Sequence, residues 1–284
     1  ITVLPPWWKS PLAYVIYSYF GKADMVGESA GWTIDDVAEC LNNNPGSVFS
    51  TWTREFMLAR ILQYSIDTFI DSDSGTCDFT TKTFDVLLDI IEPLPSEANY
   101  SPIEEKTSLI NNINLYNFEV IQEYYAKYGD DIIIKGYITA DGRACHNLSV
   151  TDAYSIVSTS GCKDGAWEFI KFCLINDNSS IGWFSSNKQR QQEMIDEELA
   201  HAGEEKRSTF YTEQGSVNYH YATQGEIDTV MNLIENVELS PSYSSEISNI
   251  IKEELDSYFL GGRSKEETVA IIQDRVQLYL DERK

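Results

Sequence analysis

The chain has 284 residues, 42% hydrophobic and 12% aromatic, enough for one large or two medium domains and too apolar for a disordered chain. Its 45 acidic and 21 basic residues give a formal charge of −24, which argues against nucleic acid and against an anionic membrane surface as partners. The longest apolar stretch, LAYVIYSYF at 12–20, falls well short of the ~20 residues that a membrane-crossing helix needs.

The chain opens on ITVLPPWW, which carries no signal-peptide pattern, so a boundary is expected there with any targeting segment upstream. WTIDDVAECLN at 32–42 predicts a helix, with Thr33 as N-cap, two acids in the first turn and an apolar face of Ile34, Val37, Ala38 and Leu41. TREFMLARILQYSIDTFI at 53–70 predicts a longer amphipathic helix, stopped by the polar turn DSDSGT. TTKTFDVLLDIIEPLP predicts a third, ended by Pro93 and Pro95. TSLINNIN reads as a strand, NFEVIQEYYAKYG as a helix closed by Gly129, and DIIIKGYI as a buried strand.

AYSIVS at 153–158 reads as a strand that turns abruptly into an amphipathic helix, GCKDGAWEFIKFCL at 161–174, whose apolar content predicts heavy packing. NKQRQQEMIDEELAHA, TQGEIDTVMNLIENV, SYSSEISNIIKEELDSYFLGG and SKEETVAIIQDRVQLYLDER predict four more helices. The order is that of an α/β protein, without internal repeats or low-complexity segments.

Few motifs carry chemistry. The turn Ser158-Thr159-Ser160-Gly161-Cys162-Lys163 matches neither a nucleophile elbow nor a phosphate loop. DSDSGTCDF at 71–79 resembles a calcium loop, but its glycine falls one place early and no glutamate stands twelfth, so a turn is expected. The five cysteines form no C-x-x-C pair and the three histidines are scattered, so free thiols are expected and a zinc site is not. Carboxylates are numerous, and a glycosidase pair among them stays open.

Five stretches carry a family resemblance: GWTIDDV, FIDSDSGTCDFTTKTFDVLLDI, YGDDIIIKGYITADG, GCKDGAWEFIKFCL and YFLGGRSKEETVAIIQDRVQLYLDE. In this order across 31–282 they resemble the C-terminal part of family 1 extracellular solute-binding proteins, the receptor subunits of ABC importers for sugars. The resemblance implies a periplasmic-binding-protein-like two-lobe α/β fold of type II. Residues 1–12 would be the incoming hinge strand, 13–153 and 240–284 the C-terminal lobe, and 154–239 part of the N-terminal lobe. An earlier segment of that lobe is absent from this sequence, so the lobe is expected to be incomplete here. The abrupt step into GCKDGAWEFIKFCL would be a crossing between lobes.

The resemblance further implies an extracellular, lipid-anchored and monomeric lipoprotein that binds a carbohydrate, expected to be an oligosaccharide, in an interlobe cleft. It implies no catalysis, cofactor or metal, and ABC permease subunits as partners. A carbohydrate-active hydrolase and a binding module of a larger surface protein are the alternatives.

Sugar rings present apolar C–H faces to aromatic rings and hydroxyls to planar polar groups, and the candidate contacts follow from that. Trp7 and Trp8 follow a rigid diproline at the expected hinge, with core packing as the alternative. By resemblance Tyr116 is the stacking ring, with Asn114 and Asn117 as hydrogen-bonders; Asn117 could equally cap a helix. Trp52, Arg54 and Glu55 open a helix placed near the cleft, although capping by Thr53 explains its polar residues as well. Tyr137 and Asp141 lie in the loop GYITADG, where a plain turn is the alternative.

Overall fold

A computed structural model describes residues 10–45, 48–49, 52–97, 108–176, 182–213, 215–238 and 245–283. Two compact units divide the chain. Unit 1 takes residues 1–17, 113–130 and 146–239, and unit 2 takes 18–112, 131–145 and 240–284.

In unit 1, strand β1 (Ser10–Lys22) runs antiparallel to β7 (His146–Tyr154), from Ser10 opposite Tyr154 to Tyr17 opposite Asn147. On its other side β1 meets the short β8 (Phe184–Ser185), with Tyr14 opposite Phe184, and β11 (Val237–Glu238) lies parallel to β7. Helices α5 (Ile121–Tyr128), α6 (Lys163–Asn176), α7 (Lys188–Ala200) and α8 (Gln224–Glu235) belong to this unit, with a separate hairpin of β9 (Glu205–Thr212) and β10 (Gly215–His220).

Unit 2 holds the end of β1, whose Phe20 pairs with Ile134 of β6 (Ile132–Ile134). There β2 (Val48–Phe49) lies parallel to the start of β5 (Ser108–Leu115). Around these strands are α1 (Ala23–Val26), α2 (Ile34–Asn43), α3 (Arg54–Ser65), the hairpin of β3 (Ile70–Asp71) and β4 (Thr76–Cys77), α4 (Lys82–Ile91), α9 (Ser245–Phe259) and α10 (Lys265–Asp281). The core of this unit includes fully buried Trp32, Phe79 and Phe84, and the rings of Phe69, Phe79 and Phe84 pack within 5.1–5.5 Å of one another.

The helix starts are those the polar residues dictate. Thr33 caps α2 and Asp36 answers it in a capping box; Thr223 with Glu226 does the same for α8, and Ser264 with Glu267 for α10. Thr53 and Thr81 cap α3 and α4, and Asn187 caps α7. Helix α3 is shorter than expected: a 3-10 turn at Ile66–Thr68 follows it, and Ile70 is drawn into the hairpin opposite Cys77. DSDSGTCDF forms that tight turn, with the Asp71 carboxylate accepting from the backbone N–H groups of Asp73 and Ser74.

The α10 helix also holds the hairpin through main-chain atoms. Gln277 accepts from the Cys77 N–H at 3.0 Å and donates to the Gly75 carbonyl at 3.1 Å. Gln273, one turn earlier, accepts from Phe79 N–H at 2.8 Å and donates to the Cys77 carbonyl at 2.9 Å. Two side chains thus take the place of a neighbouring strand along β4. Glu254 of α9 is joined by Arg263 and by Arg275 of α10.

Three sequence expectations change. Of the strand read at 153–158 only the first two residues are strand: β7, built by pairing to β1, begins at His146 and ends at Tyr154. The strand read over DIIIKGYI stops at Ile134, and Gly136 adopts a φ of 83°. There a Cβ would stand 2.4 Å from the Cys145 carbonyl oxygen, so the close approach admits only glycine. Helix α6 forms where expected but is not heavily packed: Ile170 and Cys173 are buried, while Phe169, Phe172 and Ile175 are exposed.

The unit limits also differ from the expected lobe limits. Residues 113–130 and 146–153, expected to group with 13–112, group instead with 154–239. The pairing of β7 to the start of β1 and a backbone bond from Phe184 to Tyr116 account for this. Both β7 and α6 lie in unit 1, so the step between them does not pass from one unit to the other. The chain changes unit inside β1, inside β5, and near residues 130, 145 and 239.

Candidate functional site

The end of β5 delivers Tyr116 into the turn that precedes α5. Phe184 donates its backbone N–H to the Tyr116 carbonyl at 2.7 Å. Phe184 itself is fully buried, stacked on Tyr14 at 5.5 Å and edge-on to Phe118 at 5.1 Å. With both backbones fixed in this way, the rings of Tyr116 and Trp183 lie 5.7 Å apart at an interplanar angle of 35°. Both residues are half-buried, so each keeps part of its surface in contact with solvent.

Polar groups surround the pair. Asn117 accepts from the Val120 N–H at 3.1 Å and so caps the turn into α5. Asn114 is exposed, and its backbone N–H donates to the Tyr124 hydroxyl at 3.0 Å. Burial, with the carboxylates of Glu123 and Glu119 adding to it, pushes the Tyr116 hydroxyl pKa up, so the phenol stays neutral and able to donate. Glu123 is itself held by the Tyr219 hydroxyl.

Asn117 and Gly182, the chain neighbours of Tyr116 and Trp183, line a cavity of about 680 Å³ together with Glu119, Arg190, Glu198 and Lys206. At its wall Lys206 of β9 donates to Glu119 at 2.5 Å and to Glu198 of α7 at 2.7 Å, with its ammonium 4.5 Å from the centre of the Tyr221 ring. Glu198 also accepts from the Ala222 N–H at 2.6 Å. Burial works against the charge on Lys206, but its hydrogen bonds to Glu119 and Glu198 prevail and hold its pKa above the usual lysine range. This bridge ties the turn that carries Tyr116 to α7 and to the β9–β10 hairpin.

The other sequence candidates lie elsewhere. Trp52 and Tyr137, at 3% and 4% exposure, are core residues of unit 2, on either side of Tyr19 with ring centroids 4.7 and 4.5 Å from it. Tyr137 also stacks on Tyr64 at 4.3 Å. Arg54 lies 4.7 Å over the Phe259 ring and donates to the Glu92 carbonyl at 3.0 Å, while Glu55 pairs with Lys252 at 3.1 Å on the surface. Asp141 pairs with Arg143 at 2.9 Å in an exposed turn, where hydrogen bonds from the Arg143 backbone and side chain hold its carboxyl below the usual range. Trp7 and Trp8 lie outside the described residues. Trp183 was not signalled by the sequence, because it stands far along the chain from Tyr116 and meets it only through β8. Among the described residues no group of three or more His, Cys, Asp or Glu side chains is placed to hold a metal ion.

No family model and no curated protein matches this chain. Among solved structures it is similar to a candidate oligosaccharide periplasmic-binding protein from Synechococcus sp. MITs9220, with a TM-score of 0.56 at 14% identity over 97% of this chain and 74% of that one. A structure so described from the same organism, in complex with zinc, aligns with a TM-score of 0.54 at 12% identity over 97% of this chain and 73% of that one. The chain has the two-lobe α/β fold of periplasmic binding proteins.

Proposed function

We propose that this chain is the carbohydrate-recognising part of a non-catalytic receptor that serves an ABC importer outside the cell. The observation that carries the reading is the Tyr116–Trp183 ring pair, half-exposed at a polar turn within this fold. Two tilted rings of this kind can take the C–H face of a pyranose, and Asn114 and Asn117 stand beside them for its hydroxyls. The likeness to a protein described for oligosaccharide binding supports the same class of ligand. The charge of −24 favours an uncharged sugar over an acidic one. Trp52 and Tyr137, buried in packing, are not among the proposed contacts. A lipid anchor and a membrane permease as the receiving partner complete the reading.

The test is incubation with a panel of neutral oligosaccharides, following both the melting temperature and the release of product. A rise in Tm with the glycan recovered intact is expected. Release of shorter sugars would replace this reading with that of a hydrolase, and no shift with any glycan would leave a structural module.

A further inference from the structure

Unit 2 holds a cavity of about 370 Å³, near the small end of the ~300–1,000 Å³ usual for ligand sites. It shares no lining residue with the cavity beside Tyr116 and Trp183. Its walls come from α1, α2 and Lys135, the residue that follows β6. Asn44 ties the two helices together, donating to the Met25 carbonyl at 3.2 Å and to the Cys40 carbonyl at 2.8 Å. The cavity is thus built into the fold of the unit.

Lys135 lines this cavity although it is only 1% exposed. Its backbone N–H donates to the Tyr19 carbonyl at 2.9 Å, which fixes where the side chain starts. Its ammonium donates to Ser29 Oγ at 2.6 Å and lies 5.5 Å from the centre of the Trp32 ring. An ammonium has three donors, and among the described residues the Ser29 hydroxyl is the one acceptor that it meets and no carboxylate pairs with it. A buried charge without a counter-ion is costly. Burial accordingly pushes the Lys135 pKa down, against the opposing pull of Cys40 and Asp36.

The carboxylates of the same cavity have the opposite lack. Asp36 and Glu39 lie one turn apart on one face of α2, and Asp24 of α1 makes a third. One oxygen of Asp36 accepts from the Thr33 N–H and hydroxyl at 2.7 and 2.8 Å. Glu39 is exposed and makes no hydrogen bond or ion pair among the described residues. These groups are not placed to hold a metal ion, which favours an organic cation as their partner.

We propose that this cavity binds a small zwitterion, a free α-amino acid, with its carboxylate on Lys135 and Ser29 and its ammonium towards Asp36 and Glu39. Its side chain lies against Met25. Such a ligand brings acceptors to the spare donors of Lys135 and a cation to the spare carboxylates of α2. A simple anion would face three carboxylates, and a simple amine would leave Lys135 unmatched. The same three carboxylates against one ammonium select against an acidic side chain on the ligand. The inference does not depend on the sugar reading, whose residues lie in unit 1.

The experiment is calorimetric titration of the chain with L-leucine, beside isocaproate and isoamylamine, each of which keeps one of leucine's two charges. Leucine is expected to bind about tenfold tighter or more than either, and than L-glutamate. Lys135→Met should abolish leucine binding. Glu39→Gln should weaken it about tenfold, and because Glu39 is exposed and unpaired this variant should melt like the wild type, whatever Lys135→Met does to folding. No leucine binding by the wild-type chain overturns the proposal and leaves Lys135 as packing for Trp32. Equal binding of isocaproate overturns it in favour of a plain anion site. Leucine binding unchanged in Glu39→Gln, or in a folded Lys135→Met protein, overturns it as well, because the amino acid then sits elsewhere.

Discussion

The Phe184 backbone N–H reaches the Tyr116 carbonyl at 2.7 Å, and through it the Trp183 ring is set against the Tyr116 ring. The two backbones are therefore held together before any ligand arrives, which keeps the rings near each other and lowers the ordering cost of binding. On the proposed function, Tyr116→Ala and Trp183→Ala should each weaken sugar binding about tenfold or more. Stacking is worth ~0.5–1.5 kcal/mol beyond the lost buried area, and every 1.4 kcal/mol or so is a factor of ten. Calorimetric titration of each variant beside its thermal melt checks this, and unchanged affinity in a folded Tyr116→Ala protein would place the site elsewhere.

Lys206→Met should destabilise unit 1. It would leave Glu119 and Glu198, both largely buried, as neighbouring carboxylates with no cation between them. A loss of about 1–3 kcal/mol in urea unfolding is expected. Adding Glu119→Gln and Glu198→Gln to the same protein should recover part of it, because the like-charge repulsion is then gone. A triple variant no more stable than Lys206→Met would show that lost packing of the lysine stem over Tyr221 dominates.

His146 gives the protein a pH dependence of definite sign. Burial at the start of β7 lowers its pKa from 6.5 to about 4. The unfolded chain binds a proton more readily than the folded one, so the stabilisation is complete above pH 6.5 and is lost as pH falls from there to about 4. The full loss over that window is about 3 kcal/mol. His146→Gln should remove this component, and the difference between the two proteins in urea unfolding at pH 7, 5.5 and 4.5 isolates it from the titration of the carboxylates. Parallel stability curves would sink the assignment.

Gln273→Ala and Gln277→Ala should each cost about 1–3 kcal/mol, because each strips partners from backbone groups at the hairpin edge without offering replacements. The effect should show as a lower Tm and as faster amide exchange at Cys77 and Phe79. Gln277→Glu retains an acceptor for the Cys77 N–H but loses the donor to Gly75, so it should fall between the wild type and Gln277→Ala.

Much of the helical framework was legible, because capping is a local matter: Thr33, Thr53, Thr81, Thr223 and Ser264 announce the helices that follow them. The strands were less so. HNLSVTDAY has no clean alternation, and its register comes from β1, well over a hundred residues earlier. The β9–β10 hairpin was missed because its residues are polar and mostly exposed on both faces, so no period of two stands out. Within the candidate site, Tyr116 was named through the family resemblance, which offered nothing for Trp183. The burial of Trp52 and Tyr137 was not legible, because aromatic side chains near turns serve cores as readily as ligands.

The grip of Gln273 and Gln277 on the β3–β4 hairpin has a consequence for how this protein can vary. Their four nitrogen–oxygen hydrogen bonds all go to main-chain atoms of residues 75, 77 and 79, and a hairpin side chain enters only through the Cys77 thiol, which lies 3.6 Å from Gln277 Oε1. These bonds depend on spacing. One residue inserted between Gly75 and Phe79 would bring a carbonyl to a place where an N–H is needed, and the match of donors to acceptors would fail along the whole edge. Substitutions at the exposed Thr76 and Asp78 should be tolerated and changes of length should not, a pattern opposite to that usual for surface turns.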